Sequence, residues 1–198
     1  MTNVDASITQ DKQLLRQAMR RLRRGLTPAQ QAQHGRGLRD RLSHLRQFQA
    51  SRRIALYLDR DGEIGTRQLL ELCWRNGKEV YLPVILRSGD MRFHCFRRGQ
   101  QLRTGRYGIA EPAPSSPVAA VSELDLVLTP LVAFSSNGER LGMGGGYYDR
   151  AFASRRGSRP VLLGVAHDCQ LVETLPTNSW DVRLHGIVTE RRFLRAST

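Results

Sequence analysis

The chain has 198 residues, 40% apolar and 25% charged, with a formal net charge of +13. That length allows one sizeable core, and no apolar run approaches the ~20 residues of a membrane span. Three scattered cysteines, Cys73, Cys95 and Cys169, fit no disulfide framework or paired metal spacing, and residues 1–11 lack a signal core, so a cytoplasmic protein with reduced thiols is expected.

Taken in order, Thr9 is expected to cap a first helix reaching about Leu26, with Leu15, Ala18, Met19, Leu22 and Leu26 on its apolar face. Residues 1–10 read as a flexible tail on a single domain spanning 1–198. Thr27-Pro28-Ala29-Gln30 starts a second helix, with Thr at the cap, Pro first and Gln third; Leu38, Leu42, Leu45 and Phe48 continue its buried side. Residues 53–58 read as a buried strand running into a polar turn, Asp59-Arg60-Asp61-Gly62-Glu63. Thr66 is expected to cap a helix that Gly77 stops. Strands follow over 79–86 and 91–96, then an irregular stretch over 99–123 that includes Tyr107 to Pro112. The most apolar strand, 125–134, delivers the chain to a glycine-rich loop, and a helix follows over 147–155. Residues 161–166 and 187–189 complete the strands. Buried strands alternating with helices specify an α/β layered fold with a partly parallel sheet. Ligands of such sheets collect at strand ends, which selects the loops 59–63, 135–146 and the segment after Ala166.

The run from Arg140 to Arg150 carries most of the chemical information. Gly142, Gly144, Gly145 and Gly146 stand within five residues, bracketed by Arg140 and Arg150 and followed by Asp149. Backbone without Cβ can approach an anion closely, and arginine supplies charge-assisted donors to phosphate. A flexible turn between strand and helix is the competing reading. Neither a P-loop nor the dinucleotide fingerprint fits: no Gly-Lys-Ser/Thr string occurs, and Tyr147 stands where the third glycine would be. His167-Asp168-Cys169 resembles half a catalytic or metal site, but no further ligands stand at matching spacing, so it reads as a strand-end loop. Residues 1–53 hold twelve Lys and Arg against three Asp and Glu, a net of +9, and all basic residues but Lys12 and Lys78 are arginine. Such a basic end points to anionic partners or to a solvated helix surface.

With the glycine run, Lys12-x-x-x-Arg16, Leu58-x-x-x-x-Glu63, Thr129 to Phe134 and Trp180-Asp181 in view, the chain resembles the 5-formyltetrahydrofolate cyclo-ligase family over nearly its whole length, with a heavier arginine load. The resemblance implies a three-layer α/β fold, a mixed, partly parallel sheet flanked by helices like that of sugar-phosphate isomerases and CoA transferases. It also implies the activity, ATP- and Mg²⁺-dependent closure of 5-formyltetrahydrofolate to 5,10-methenyltetrahydrofolate with release of ADP and phosphate. ATP contacts carry over to Lys12, Arg16 and the run Arg140, Leu141, Gly142, Met143, Gly144, Gly145, Gly146, Tyr147 and Tyr148. Metal contacts carry over to Asp149 and Asp181; without the resemblance, Asp149 reads as a helix-start acid. Folate contacts carry over to Leu58, Glu63 and Met143 to Tyr147, with Arg140 and Tyr147 as catalytic residues. Tyr147 either stacks on the pterin or packs on its own helix, and Trp180 either floors the pocket or anchors a loop. Glu111 reads as structural. The expected partner is the reduced folate, polyglutamylated or not, with no nucleic acid, no membrane and a monomeric state. The rival readings are a basic nucleic-acid-binding module and an ATP-independent sugar-phosphate isomerase on the same scaffold.

Overall fold

The computed structural model describes residues 3–153, 155, 159–178 and 180–196, with side chains from residue 9 onward. In chain order the helices are α1 (Asn3–Arg24), α2 (Pro28–Ser43), α3 (Arg46–Gln49), α4 (Arg67–Arg75) and α5 (Tyr147–Phe152). The strands are β1 (Arg53–Ala55), β2 (Glu79–Ile85), β3 (Met91–Cys95), β4 (Arg103–Thr104), β5 (Ala110–Glu111), β6 (Val118–Ala119), β7 (Leu126–Pro130), β8 (Ala133–Phe134), β9 (Arg140–Leu141), β10 (Val161–Val165), β11 (Gly186–Val188) and β12 (Phe193–Arg195).

Eight strands form one sheet in the order β12-β11-β10-β7-β1-β2-β3-β6. The five central strands, β11 to β2, run parallel, while β12, β3 and β6 add antiparallel margins. Alternate residues serve opposite faces. Ile54, Leu56, Leu126, Leu128 and Leu163 pack with Leu38, Leu42, Phe48 and Leu69 beneath α2, α3 and α4. Ala55, Val127, Leu162 and Ile187 pack with Phe93 and Phe152 beneath α5. Two buried faces explain why these strands read as continuous apolar runs. The result is the expected three-layer α/β sheet.

Several local expectations change. Helix α1 starts at Asn3, upstream of Thr9, so Thr9 is inside the helix and not its cap, and the helix covers most of the segment read as a flexible tail; Met1 and Thr2 lie outside the described residues. The second helix opens as expected: Thr27 Oγ1 accepts from Gln30 N at 3.3 Å, and Gln30 Oε1 accepts from Thr27 N at 2.9 Å. It ends at Ser43, and Phe48 belongs to the separate turn α3. Thr66 stands at the N-cap position of α4, but its hydroxyl donates to Tyr57 O at 2.7 Å instead of capping. Residues 99–123 contain the β4–β5 hairpin and β6. The strand expected over 125–134 is interrupted after Pro130, and β8 pairs with β9 in a hairpin that leads into the glycine loop. Helix α5 stops at Phe152; Ser154, within the expected 147–155 helix, lies outside the described residues. The terminal strand β12 carried no sequence signal that was read.

The buried face of α1 is not the one its leucines suggested. Ala18 and Leu22 are exposed, whereas Lys12 and Arg23 are buried, at 7% and 0% exposure. Leu15 and Met19 alone pack onto Ala133, Leu141 and Leu175. Arg23 reverses the apolar expectation because the turn after β1 offers it oxygen. Its Nη2 donates to Asp61 Oδ2 at 2.9 Å, its Nε to Asp61 O at 2.9 Å and its Nη1 to Leu131 O at 3.3 Å. Arg20 and Arg24 pair with the same carboxylate. Helix α1 is thereby fastened across the carboxyl ends of β1 and β7. Asp61→Ala strands the Arg23 guanidinium away from water and should lower the unfolding free energy by about 3 kcal/mol; urea denaturation with an unchanged midpoint would refute this anchoring.

Candidate functional site

The three loops selected at strand ends do meet, and α1 lies over them. His167, after β10, bonds Gly62 O through Nε2 at 3.1 Å. Gln170 Nε2 donates to Leu131 O at 3.1 Å and Val132 O at 2.7 Å, tying the β10 loop to the segment after β7. From α1, Arg16 Nε donates to Gly142 O at 2.9 Å, and Lys12 Nζ reaches Asp181 Oδ2 at 2.9 Å across 169 positions of sequence. Burial lowers the Arg16 pKa, opposed by the nearby Asp181 charge.

The glycine loop is shaped by conformations that side chains avoid. Gly144 and Gly146 have φ of 101° and 62°, and Gly146 is the left-handed residue that opens α5. A Cβ at Gly145 would stand 2.6 Å from the Tyr147 ring, and one at Gly144 3.5 Å from the Arg16 guanidinium carbon. Arg140 is nearly enclosed, its side chain 5% exposed, and its Nη2 donates to Asp149 Oδ1 at 2.6 Å. The same oxygen accepts from Val182 N at 3.1 Å. Two cation–carboxylate pairs, Lys12–Asp181 and Arg140–Asp149, thus stand at neighbouring points, since Val182 follows Asp181 directly. Arg140 and Asp181 also line a cavity of about 290 Å³ with Glu139, Thr177, Asn178, Val182 and Arg183. A larger depression of about 430 Å³ lies around Arg53 and Glu79 at the amino ends of β1 and β2, away from these loops.

These residues suit a hard divalent cation. Both donors are carboxylates, and among the described residues the hydrogen bonds to Asp149 fall on Oδ1 and those to Asp181 on Oδ2. One oxygen of each therefore remains for an ion that retains most of its waters, as Mg²⁺ does.

Beside the loop, Leu58 is partly buried against the core. Glu63 Oε2 accepts from Arg60 N at 3.1 Å, and its Oε1 lies 3.8 Å from Arg23 Nη2. Burial pushes the Glu63 carboxyl up to about 7, against the opposing pull of Arg23. At Asp61 the balance is reversed: burial raises its pKa, but hydrogen bonds from Arg20, Arg23 and Arg24 outweigh that and bring it to about 2. Arg23 Nη2 also lies 3.9 Å from Met143 Sδ, so one buried guanidinium spans the Glu63 turn and the glycine loop.

Tyr147 faces outward. Its hydroxyl meets that of Tyr107 at 2.9 Å, and the Arg150 guanidinium lies over its ring at 5.0 Å. Tyr107 adopts a left-handed backbone at φ 59°, strain that in a tyrosine is held by its surroundings. Here Arg60 Nη1 donates to Tyr107 O at 3.0 Å. Tyr148 instead packs against Phe152, and burial raises its phenol pKa. Trp180 is 69% exposed, so it anchors no loop by burial. Glu111 is structural: buried at 3% exposure, it accepts from Arg106 N at 3.0 Å.

The fold gathers Lys12, Arg16, Glu63, the glycine run, Asp149 and Asp181, the residues that the resemblance implied, in one region. The sequence reading missed Arg23, Asp61 and Tyr107. A signal for Arg23 existed, because Lys12, Arg16 and Arg23 recur at spacings of four and seven, one stripe of a helix. It also missed His34 and Glu190, which the fold brings to His167. His167-Asp168-Cys169 forms the expected loop after β10, with Asp168 accepting from Thr189 Oγ1 and Arg192, but His34 and Glu190 stand beside His167, partners that the spacing did not supply.

A model of the 5-formyltetrahydrofolate cyclo-ligase family matches residues 8–190. The 5-formyltetrahydrofolate cyclo-ligase of Escherichia coli K12 is 41% identical over 174 residues, covering 86% of this chain and 96% of that protein. The Haemophilus influenzae cyclo-ligase is 38% identical over 183 residues, covering 91% and 98%. Among solved structures, the 5,10-methenyltetrahydrofolate synthetase of Aquifex aeolicus superposes with a TM-score of 0.83 at 29% identity, over 94% of this chain and 93% of that one. A charge-paired cleft closed by a glycine loop, on a fold and a sequence shared with these enzymes, places the chain in the 5-formyltetrahydrofolate cyclo-ligase family.

Proposed function

We propose that the cleft binds ATP with Mg²⁺ beside 5-formyltetrahydrofolate and closes the folate to 5,10-methenyltetrahydrofolate. The convergence of Lys12, Arg16, Arg140, Asp149 and Asp181 on the glycine loop carries this reading. A formamide oxygen is a weak nucleophile and its carbon a weak electrophile. Transfer of the γ-phosphoryl group to that oxygen creates a leaving group; N10 then attacks the carbon, and phosphate departs. Such chemistry needs two aligned substrates and compensation of phosphoryl charge, not a protein nucleophile.

Each residue has a part in that alignment. Arg140 uses Nη2 on Asp149, which leaves its other donors for the phosphates, and Lys12 likewise keeps two of three ammonium protons beyond its bond to Asp181. Gly142 to Gly146 let the backbone lie against the triphosphate, with Leu141, Met143 and Tyr148 shaping the loop. Arg16 fixes that loop through Gly142 O. Asp149 and Asp181 would hold Mg²⁺, which would supply positive charge to the phosphate oxygens. Glu63 accepts hydrogen bonds from the amino and ring N–H groups of the pterin, Leu58 supplies apolar contact, and the outward ring of Tyr147 offers a stacking surface. The folate's glutamate carboxylates meet the surrounding arginines. Of the arginines that motivated a nucleic-acid reading, Arg23 is buried on Asp61, and Arg20 and Arg24 pair with the same carboxylate while remaining 36% and 55% exposed.

Arg140→Ala should lower kcat about 100-fold with the fold retained, read from growth of the methenyl chromophore when enzyme, ATP, Mg²⁺ and 5-formyltetrahydrofolate are mixed; wild-type turnover would remove Arg140 from the phosphate site. Asp149→Asn should shift the Mg²⁺ titration to higher concentration, and an unshifted curve would count against a metal role. Because burial holds Glu63 near 7, its accepting, ionised form grows as pH rises. The folate KM should therefore fall between about pH 6 and about pH 8, and Glu63→Gln should flatten that dependence; an identical slope in both proteins would exclude Glu63 as its source.

A further inference from the structure

His34, His167 and Glu190 form a cluster that the cyclo-ligase reaction does not use. The three come from separate elements: α2, the turn after β10 and the turn after β11. One ligand atom from each lies within 4.8 Å of the other two. Nδ1 of His34 shares a 2.8 Å hydrogen bond with Nδ1 of His167, and the opposite ring nitrogen, Nε2, lies 3.8 Å from Glu190 Oε1, so an ion would take one of the two His34 nitrogens. Gly37 brings α2 close enough for this, since a Cβ there would sit 3.0 Å from Glu190 O.

The surroundings prepare these groups as donors to an ion. His167 is fully buried, and its Nε2 points at Gly62 O at 3.1 Å, which keeps the proton on Nε2 and leaves an Nδ1 lone pair facing His34. A carbonyl on the far ring nitrogen is the usual outer support of a metal-bound imidazole. Glu190 Oε2 is fixed by Asp168 N at 2.9 Å, so Oε1 is the oxygen directed at His34. Arg191 Nε lies 3.7 Å from that oxygen, but its side chain is 72% exposed and free to withdraw. A tetrahedral ion bound at ~2.0 Å separates its ligand atoms by about 3.3 Å, which lies within the span of the cluster. Binding requires the partly exposed His34 ring to rotate, giving up its hydrogen bond to His167 and turning one nitrogen to a point shared with His167 Nδ1 and Glu190 Oε1.

We propose that His34, His167 and Glu190 bind a divalent transition metal, zinc by ligand chemistry, with water as the fourth ligand. Two imidazoles and one carboxylate suit Zn²⁺, whereas Mg²⁺ prefers an all-oxygen set. This site is distinct from the carboxylate pair Asp149 and Asp181. Bound there, the ion ties α2 to two strand ends and, through Gly62 O, to the turn that carries Asp61 and Glu63. It is a structural clasp beside the folate side of the cleft.

The test uses full-length protein stripped with chelator, with Co²⁺ as a spectroscopic probe and Zn²⁺ as the stabilising ion. One Co²⁺ per chain should develop the intense visible bands of four-coordinate cobalt, and Zn²⁺ should raise the thermal unfolding midpoint. His34→Gln, at a partly exposed position, should weaken Co²⁺ binding at least about tenfold and abolish the Zn²⁺-dependent rise, while Asp181→Asn keeps both. Absence of four-coordinate bands in the parent protein, equal binding by His34→Gln, or loss of binding in Asp181→Asn would each overturn the assignment. None of these readouts depends on cyclo-ligase turnover.

Discussion

The buried guanidinium of Arg23 is the constraint around which the cleft is arranged. A fully enclosed cation survives only if oxygen surrounds it. Asp61 supplies a carboxylate and a carbonyl, and Leu131 a second carbonyl. Those oxygens lie on the turns that follow β1 and β7, so satisfying one side chain sets helix α1 across two neighbouring strand ends. Lys12 and Arg16, seven and more residues earlier on the same helix, then have no choice of target: the first reaches Asp181 and the second the glycine loop. The same cation stands beside Glu63 and Met143, so the turn expected to hold the pterin and the loop expected to hold the phosphates share one support.

Parallel strands make this possible. With β11, β10, β7, β1 and β2 running the same way, their carboxyl ends present the turns at 59–63, 131–146, 167–170 and 189–190 along one edge. Helices cover both faces of the sheet, so the cleft forms at that edge, between these turns and α1. Opposite electrostatic outcomes at two acids two residues apart follow from local partners: three arginines hold Asp61 ionised, while burial holds Glu63 close to neutral pH.

Much of this was legible in the sequence, for identifiable reasons. Continuous apolar runs such as Leu126 to Leu128 announced strands buried on both faces, and Thr27-Pro28 announced the start of α2 because capping chemistry is local. The glycine run was legible because close backbone approach needs residues without Cβ. Less legible was the face of α1, where leucine spacing pointed one way and the carboxylates of a distant turn pulled Lys12 and Arg23 inward. A charge is buried only when a partner from elsewhere arrives, and one helix's periodicity carries no information about that partner. His34 was invisible for the same reason: an imidazole on α2 acquires meaning only when the fold delivers His167 and Glu190 to it.

In the pairs Lys12–Asp181 and Arg140–Asp149 each cation of the resting cleft's phosphate end is already matched by a carboxylate. A bare anion, such as inorganic phosphate or sulfate, meets cations already compensated by carboxylates and gains little from entering. In the proposed complex, a polyphosphate travelling with its own dication meets both members of each pair at once, its oxygens on Lys12 and Arg140 and its metal on Asp181 and Asp149. On that reading, discrimination against abundant small anions belongs to the unliganded protein, built in before any substrate arrives.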